Sequence, residues 1–255
     1  MRSRHILLFP AIAIMVCLLS TSTLSGQRNI PIRQNLPHYD FRPYHFGFSL
    51  GVNQMNFSIL PVEIDSLRIL NTMAGSPHGE LVSVLQRPEF GFHIGIVSNL
   101  RLTPMFDLRF VPTLAFGERF LEYRFLRGGS IHTINQPFEA TFIDLPLHLK
   151  YKSMRMSNVR AYVLGGFKFS IDLSSNQFKE EAEPDLIFAR TLRDDFHYEM
   201  GAGLDFYFYY FKFSVEVKAS FGLRDLIRHG EQGRIFYDPI DRLKSNTIMV
   251  SFLFE

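Results

Sequence analysis

The stretch from Tyr198 to Leu223, YEMGAGLDFYFYYFKFSVEVKASFGL, decides how the rest of the chain is read. Its residues alternate. Met200, Ala202, Leu204, Phe206 and Phe208 interleave with Glu199, Gly201, Gly203 and Asp205. After the aromatic centre, Phe213, Val215, Val217, Ala219 and Phe221 interleave with Lys212, Ser214, Glu216, Lys218 and Ser220. A period of two places successive side chains on opposite faces of a strand, so the run is two strands joined by a short turn. One face is aromatic and aliphatic, and the other carries glycine, serine and charge.

The same pattern recurs along the chain, for eight expected strands in all. HFGFSLGVN puts Phe46, Phe48, Leu50 and Val52 opposite His45, Ser49 and Asn53. EFGFHIGIV puts Phe90, Phe92, Ile94 and Ile96 opposite His93. FDLRFVPTLAFG sets Phe106, Leu108, Phe110, Leu114 and Phe116 against Asp107, Arg109 and Thr113. TFIDLPLHLKYK sets Ile143, Leu145, Leu147, Leu149 and Tyr151 against Asp144, His148 and Lys150. In VRAYVLGGFKFSID the alternation is less clean, because Tyr162 and Leu164 share the face of Lys168, Ser170 and Asp172. NTIMVSFLFE closes the chain with Ile248, Val250, Phe252 and Phe254 on the apolar face.

Long and short connections alternate between these runs, and the runs are about 9–14 residues long, enough for tilted strands to cross a bilayer. A soluble sandwich has alternating strands but no reason to gather its long connections at one end. The expectation is an all-β, eight-stranded antiparallel transmembrane β-barrel with short periplasmic turns and long extracellular loops. Aromatics would face lipid, because a charge there costs about 2–4 kcal/mol at the midplane.

Composition agrees. The chain has 27 Phe, 10 Tyr and no Trp, and strands accommodate such rings well. Arg2 and Arg4 followed by the apolar Ile6 to Leu19 and by STSTLSG read as an export signal over residues 1–26, with cleavage expected near Gly26 and Gln27. The only cysteine, Cys17, lies within it, so disulfides do not hold the remainder. Removing Arg2 and Arg4 leaves 25 basic against 25 acidic residues, a balance that points away from nucleic acid. Residues 27–44, with Pro31, Pro37 and Pro43, are expected to form an extended periplasmic lead-in, residues 45–255 the barrel, and 62–74 a short helix within a loop.

The inward positions give a near-neutral set of charges: Asp107, Arg109, Asp144, Lys150, Lys168, Asp172, Glu199, Asp205, Glu216 and Lys218, with Lys212 beside them. In an eight-stranded lumen, just wide enough for side chains, these should pair into a salt-bridge network. Phe206, Tyr207, Phe208, Tyr209 and Tyr210, at a short turn, are expected to form part of an interfacial aromatic girdle. No HExxH, paired Cys/His spacing or GxSxG element is present, so no catalytic residue, metal or cofactor is expected. Asp194, Asp195 and His197 are the nearest approach to a catalytic group, and they read instead as a solvated loop end.

Four blocks go beyond a generic pattern: HFGFSLGVNQMNF (His45 to Phe57), GIVSNLRLTPMFDLRFVPTLAFGER (Gly95 to Arg119), IDLPLHLKYKSMR (Ile143 to Arg155) and the opening stretch, together with the terminal FLFE. They resemble the PorT family, called SprT in gliding flavobacteria, the small outer-membrane barrel of the Bacteroidetes type IX secretion system. The resemblance implies a non-catalytic component in the cell outer membrane, acting as anchor or assembly factor beside a translocon that exports proteases or gliding adhesins. Its partners would be other type IX components and outer-membrane lipid, with no nucleic acid and no small-molecule substrate. The alternative is a stand-alone structural or adhesive barrel.

Overall fold

The computed structural model describes residues 34–61, 80–174, 192–226 and 240–255. The chain divides into Met1–Arg33 and Gln34–Glu255, and only the second unit is described. The signal segment, the first part of the lead-in and the helix expected over 62–74 therefore lie outside the described residues. Among the described residues no helix is long and apolar enough to cross a membrane.

Among the described residues one 3-10 turn, Tyr39–Phe41, precedes nine strands: β1 (Tyr44–Pro61), β2 (Glu80–Arg101), β3 (Phe106–Phe110), β4 (Thr113–Arg127), β5 (Ser130–Lys152), β6 (Val159–Asp172), β7 (Asp194–Tyr207), β8 (Lys212–Gly222) and β9 (Ile240–Phe254). They form one nine-stranded sheet, and all the pairings are antiparallel. From β1 the order runs through β9, β8, β7, β6 and β5 to β3, β2 and β4, with further pairings of β1 to β2 and β4 to β5.

The expected eight-stranded barrel is thus corrected to one curled sheet of nine strands. The extra strand arises at Val111–Pro112. Here β3 stops and β4 resumes, and both pair with β2 on one side and β5 on the other. Proline has no N–H to give a ladder, so a run that alternates cleanly in sequence is cut in two.

A second correction concerns the expected long loop between Gly117 and Thr141. It is strand almost throughout. β4 and β5 pair from Thr113↔Asp144 out to Arg127↔Ser130, joined by Gly128–Gly129 alone. Both glycines have positive φ, +59° and +82°, the backbone that a two-residue hairpin turn with matching twist requires. The segment was hidden in sequence because its polarity is reversed. Leu121, Tyr123 and Phe125 are buried on the inner face, and Glu118, Glu122 and Arg124 point outward.

The same reversal appears on β1 and β9 at the end away from the chain termini. On β1 the inner face passes from His45, Ser49 and Asn53 to Met55 and Phe57, while the outer face passes from Phe48, Leu50 and Val52 to Gln54, Asn56 and Ser58. On β9 the outer face runs from Phe252, Val250 and Ile248 to Asn246, Lys244 and Arg242, as the inner face goes from Ser251, Thr247 and Ser245 to Leu243. Two solvents explain this. A strand in hydrocarbon turns its apolar face out, and the same strand in water turns it in. Phe57, Leu121, Tyr123, Phe125, Leu226 and Leu243 accordingly pack as one apolar cluster across the far end of the sheet.

The switch fixes a boundary that labelling can find, since Cys17 is the chain's only native cysteine. Cysteines replacing Ser58 and Lys244 are expected to react with a membrane-impermeant maleimide on intact cells. Cysteines replacing Val52 and Ile248, a few residues along the same outer faces, are expected to stay unlabelled.

Candidate functional site

The curvature of the sheet brings its polar face together. Arg109 on β3 and Glu216 on β8 are separated by three strands along the sheet, yet Arg109 Nη1 lies 2.8 Å from Glu216 Oε2. All ten charges singled out from the sequence are buried, and each has an ionic partner.

They form tiers along the axis of the interior. Nearest the termini, Lys152 Nζ holds Asp107 at 2.6 Å, and Asn99 donates to the other oxygen of that carboxylate at 2.9 Å. Next, Arg109 bridges Glu216 and Glu255, and Lys150 sits 2.9 Å from Asp205, which also accepts from the Ser214 hydroxyl at 2.6 Å. Above these, Lys168 joins Asp144 and Glu199 at 3.2 and 3.4 Å, and His148 Nε2 lies 2.6 Å from Glu199. Lys218 meets the second oxygen of Glu216 at 3.3 Å. Last comes Arg119, 3.7 Å from Asp172, with its guanidinium 4.3 Å from the Phe57 ring centroid at the base of the apolar cluster. Desolvating such charges costs several kcal/mol per ion, and only this density of partners offsets it.

Glycines make room for the longest reaches. Tyr162 on β6 crosses β7 to donate its hydroxyl to Glu216 on β8 at 2.7 Å. A Cβ on Gly203 of β7 would come within 2.5 Å of the Tyr162 ring, so any larger residue there displaces it. Likewise His93 on β2 crosses β1 to reach Ser251 Oγ on β9 at 2.9 Å, and a Cβ on Gly51 would meet its ring at 2.7 Å. This accounts for the sharing of the polar face by Tyr162: it belongs to the network through its hydroxyl.

The aromatic set divides. Phe208, Tyr209 and Tyr210 are exposed at the turn joining β7 to β8, and Phe206 lies on the outer face, 6.4 Å from the Phe213 ring. Tyr207 instead points inward and is buried. Its ring lies 3.7 Å beneath the Arg155 guanidinium, and its hydroxyl donates to Asp40 at 3.0 Å.

Asp40 belongs to a feature the sequence did not disclose. The described part of the lead-in is docked across the terminal end of the sheet. Asp40 takes a two-pronged contact from Arg160 at 2.8 and 3.0 Å. Asn35 bonds Asn158 and the Tyr207 carbonyl, and Arg155 donates to the Asn35 carbonyl. Tyr39 stacks on His45 at 4.1 Å and donates to Glu255 at 3.2 Å, where Lys212 also arrives at 2.9 Å. The strap's groups carried no pattern of their own: Asp40 lies in a proline-spaced lead-in, and Arg160 and Glu255 occupy the ends of strands.

Asp194, Asp195 and His197 do not assemble a catalytic group. Asp194 is engaged at the surface by Arg224, and His197 lies buried with its Nε2 3.3 Å from Asp195. Ser170 Oγ is 3.5 Å from His197 Nδ1 but 2.6 Å from Asp144, which takes its proton. Among the described residues no group of three His, Cys, Asp or Glu side chains is arranged to hold a metal ion.

With an apolar exterior, a charged interior and antiparallel strands in place, the comparison with known families is direct. Residues 28–228 match the model described as outer membrane protein beta-barrel domain. The chain belongs to that family. It is accordingly an outer-membrane protein. Among solved structures it is similar to the outer membrane protein OprG from Pseudomonas aeruginosa, at 11% identity and a TM-score of 0.47, covering 82% of this chain and 94% of that one. It is also similar to the N-terminal β-barrel domain of Pseudomonas aeruginosa OprF, at 14% identity and a TM-score of 0.30, covering 80% and 96%. No curated protein sequence matches it. The family shown is therefore the general one, and the narrower PorT family name is corrected to it, since what matches is described only as an outer-membrane β-barrel.

Two outcomes follow from the geometry. Glu216→Ala leaves Arg109 and Lys218 facing a lost carboxylate in a buried interior and is expected to cost about 3–5 kcal/mol in urea unfolding from micelles; Tyr162→Phe, which removes only a hydroxyl, should cost about 1 kcal/mol. For the strap, burial works to raise the Asp40 carboxyl, but Arg160 and the Tyr207 hydroxyl outweigh it and hold its pKa below the usual carboxylate range. A depressed carboxylate stabilises docking above its unfolded value, near 3.8, and loses that contribution as pH falls through the lower docked value. Proteolysis between residues 34 and 43 is thus expected to be slow at neutral pH and to quicken below about pH 4, whereas Asp40→Asn should be cut quickly at neutral pH.

Proposed function

We propose that the protein is a non-conducting structural barrel of the outer membrane, an anchor rather than a conduit. The observation that carries this is the occupied interior. Arg109, Lys150 and their carboxylates interlock across it, the Phe57–Tyr123–Phe125 cluster lies over one end, and the Asn35–Phe41 strap over the other. A continuous aqueous path would require charged groups to part without partners, which is costly away from water. The test is reconstitution in planar bilayers. No steady conductance step is expected from the intact chain, and stepwise porin-like currents would overturn the reading.

A second reading rests on sequence resemblance alone, on the blocks His45 to Phe57 and Tyr198 to Leu223. It makes this anchor an accessory of type IX export, docking other machine components. Clean deletion separates the two. Loss of export of proteins bearing the type IX C-terminal signal, with the outer membrane otherwise intact, supports the accessory role. Unchanged export leaves the stand-alone barrel.

A further inference from the structure

The break at Val111–Pro112 also shapes the lipid-facing wall. The β3–β5 ladder ends at Phe110↔Leu147, and the β4–β5 ladder begins at Thr113↔Asp144. Val111 and Pro112 therefore lie opposite Leu145 and Pro146 with no ladder between them, and the two prolines have no N–H to offer one. The freed carbonyls are satisfied elsewhere. Ile96 N–H donates to the Pro112 oxygen at 3.0 Å, and the Thr113 hydroxyl donates to the Val111 oxygen at 2.7 Å. In hydrocarbon an unsatisfied carbonyl costs several kcal/mol, so these two bonds remove that cost on the Val111–Pro112 side of the gap.

Around it the outer face is concave. A hollow of about 480 Å³ is lined by Phe48, Leu50, Ile94, Ile96, Leu114 and Ile143, with Pro112 among them. Leu50, Ile94, Leu114 and Ile143 form one row in register across β1, β2, β4 and β5, and Phe48 pairs with Ile96 in the next row. Among the described residues no charged side chain lines it. Its rim residues Phe48, Leu50, Ile94 and Ile96 are exposed on the outer face.

The geometry points to a seat for one acyl chain of a membrane phospholipid, held in the wall at the strand break. Outer-membrane location makes hydrocarbon the medium that covers this face. A hollow with aliphatic walls and satisfied backbone accepts a slim flexible chain through dispersion and excluded water alone. Ser49 and Thr113, the two hydroxyl-bearing residues of the lining, are buried with their side chains on the inner face, so the hollow turns only apolar side chains toward its occupant. The strand break, costly to maintain in a sheet, thereby gains a use: it sets one lipid chain apart from the surrounding bilayer.

The test is native mass spectrometry of the full chain extracted from outer membranes in mild detergent. The wild type is expected to carry one retained phospholipid. Leu50→Trp and Leu114→Trp each fill the hollow and should lower the retained fraction about tenfold, equivalent to losing roughly two buried methylenes of contact. Val217→Trp lies on the outer face of β8, away from the hollow, and should retain the lipid as the wild type does. Folding of each variant is checked by its heat-dependent shift in electrophoretic mobility, and either hollow-filling variant suffices if the other does not fold. A wild type without bound phospholipid would overturn the proposal. So would undiminished retention in the filled variants, equal loss in Val217→Trp, or a dimer mass in place of the lipid adduct.

Discussion

The contact between Arg109 and Glu216 shows what the rest of the molecule must provide. A guanidinium and a carboxylate buried this completely are tolerated only when each finds its opposite, and these two stand on strands far apart along the sheet. The sheet must curl until its charged faces meet. Once it does, every neighbouring inward position is drawn into the same requirement, which is why Lys150, Asp205, Lys218 and Glu255 are paired around the first two. The exterior follows as the complement, since a strand with its charges satisfied inside can offer hydrocarbon only rings and aliphatic chains.

Glycine and proline set the details that charge leaves open. Gly203 and Gly51 let Tyr162 and His93 cross a neighbouring strand to bond with the next one, so the interior is knitted across strands as well as between facing walls. Pro112 and Pro146 interrupt the ladder in the wall, at the place where the expected strand count fails. Along the axis, the exchange of faces near Asn53 and Met55 divides a charge-filled half suited to lipid from an apolar-cored half suited to water.

Much of this was legible in the residues. Strict alternation marked the strands, their inward charges and their lipid-facing rings, because a period of two sends every second side chain to one face and hydrocarbon then forces the charges onto the other. β6 could be bounded at Val159 and Asp172 from pattern alone. The rest was hidden for identifiable reasons. Leu121, Tyr123 and Phe125 looked like loop because their alternation has the opposite polarity to the membrane strands. Tyr207 sits in a run of six aromatics where the inward position cannot be singled out. Asp40 pairs with Arg160, 120 residues away, and no local pattern announces so distant a contact.

The central claim is that one face of each strand meets hydrocarbon while the other is sealed inside among paired charges. The chain has no native tryptophan, so single tryptophans report their own surroundings. In vesicles of brominated phospholipid, Phe213→Trp and Phe252→Trp, on the outer face, are expected to be strongly quenched. Tyr162→Trp, at a comparable depth on the inner face, should fluoresce undimmed. Equal quenching at all three sites would contradict the account.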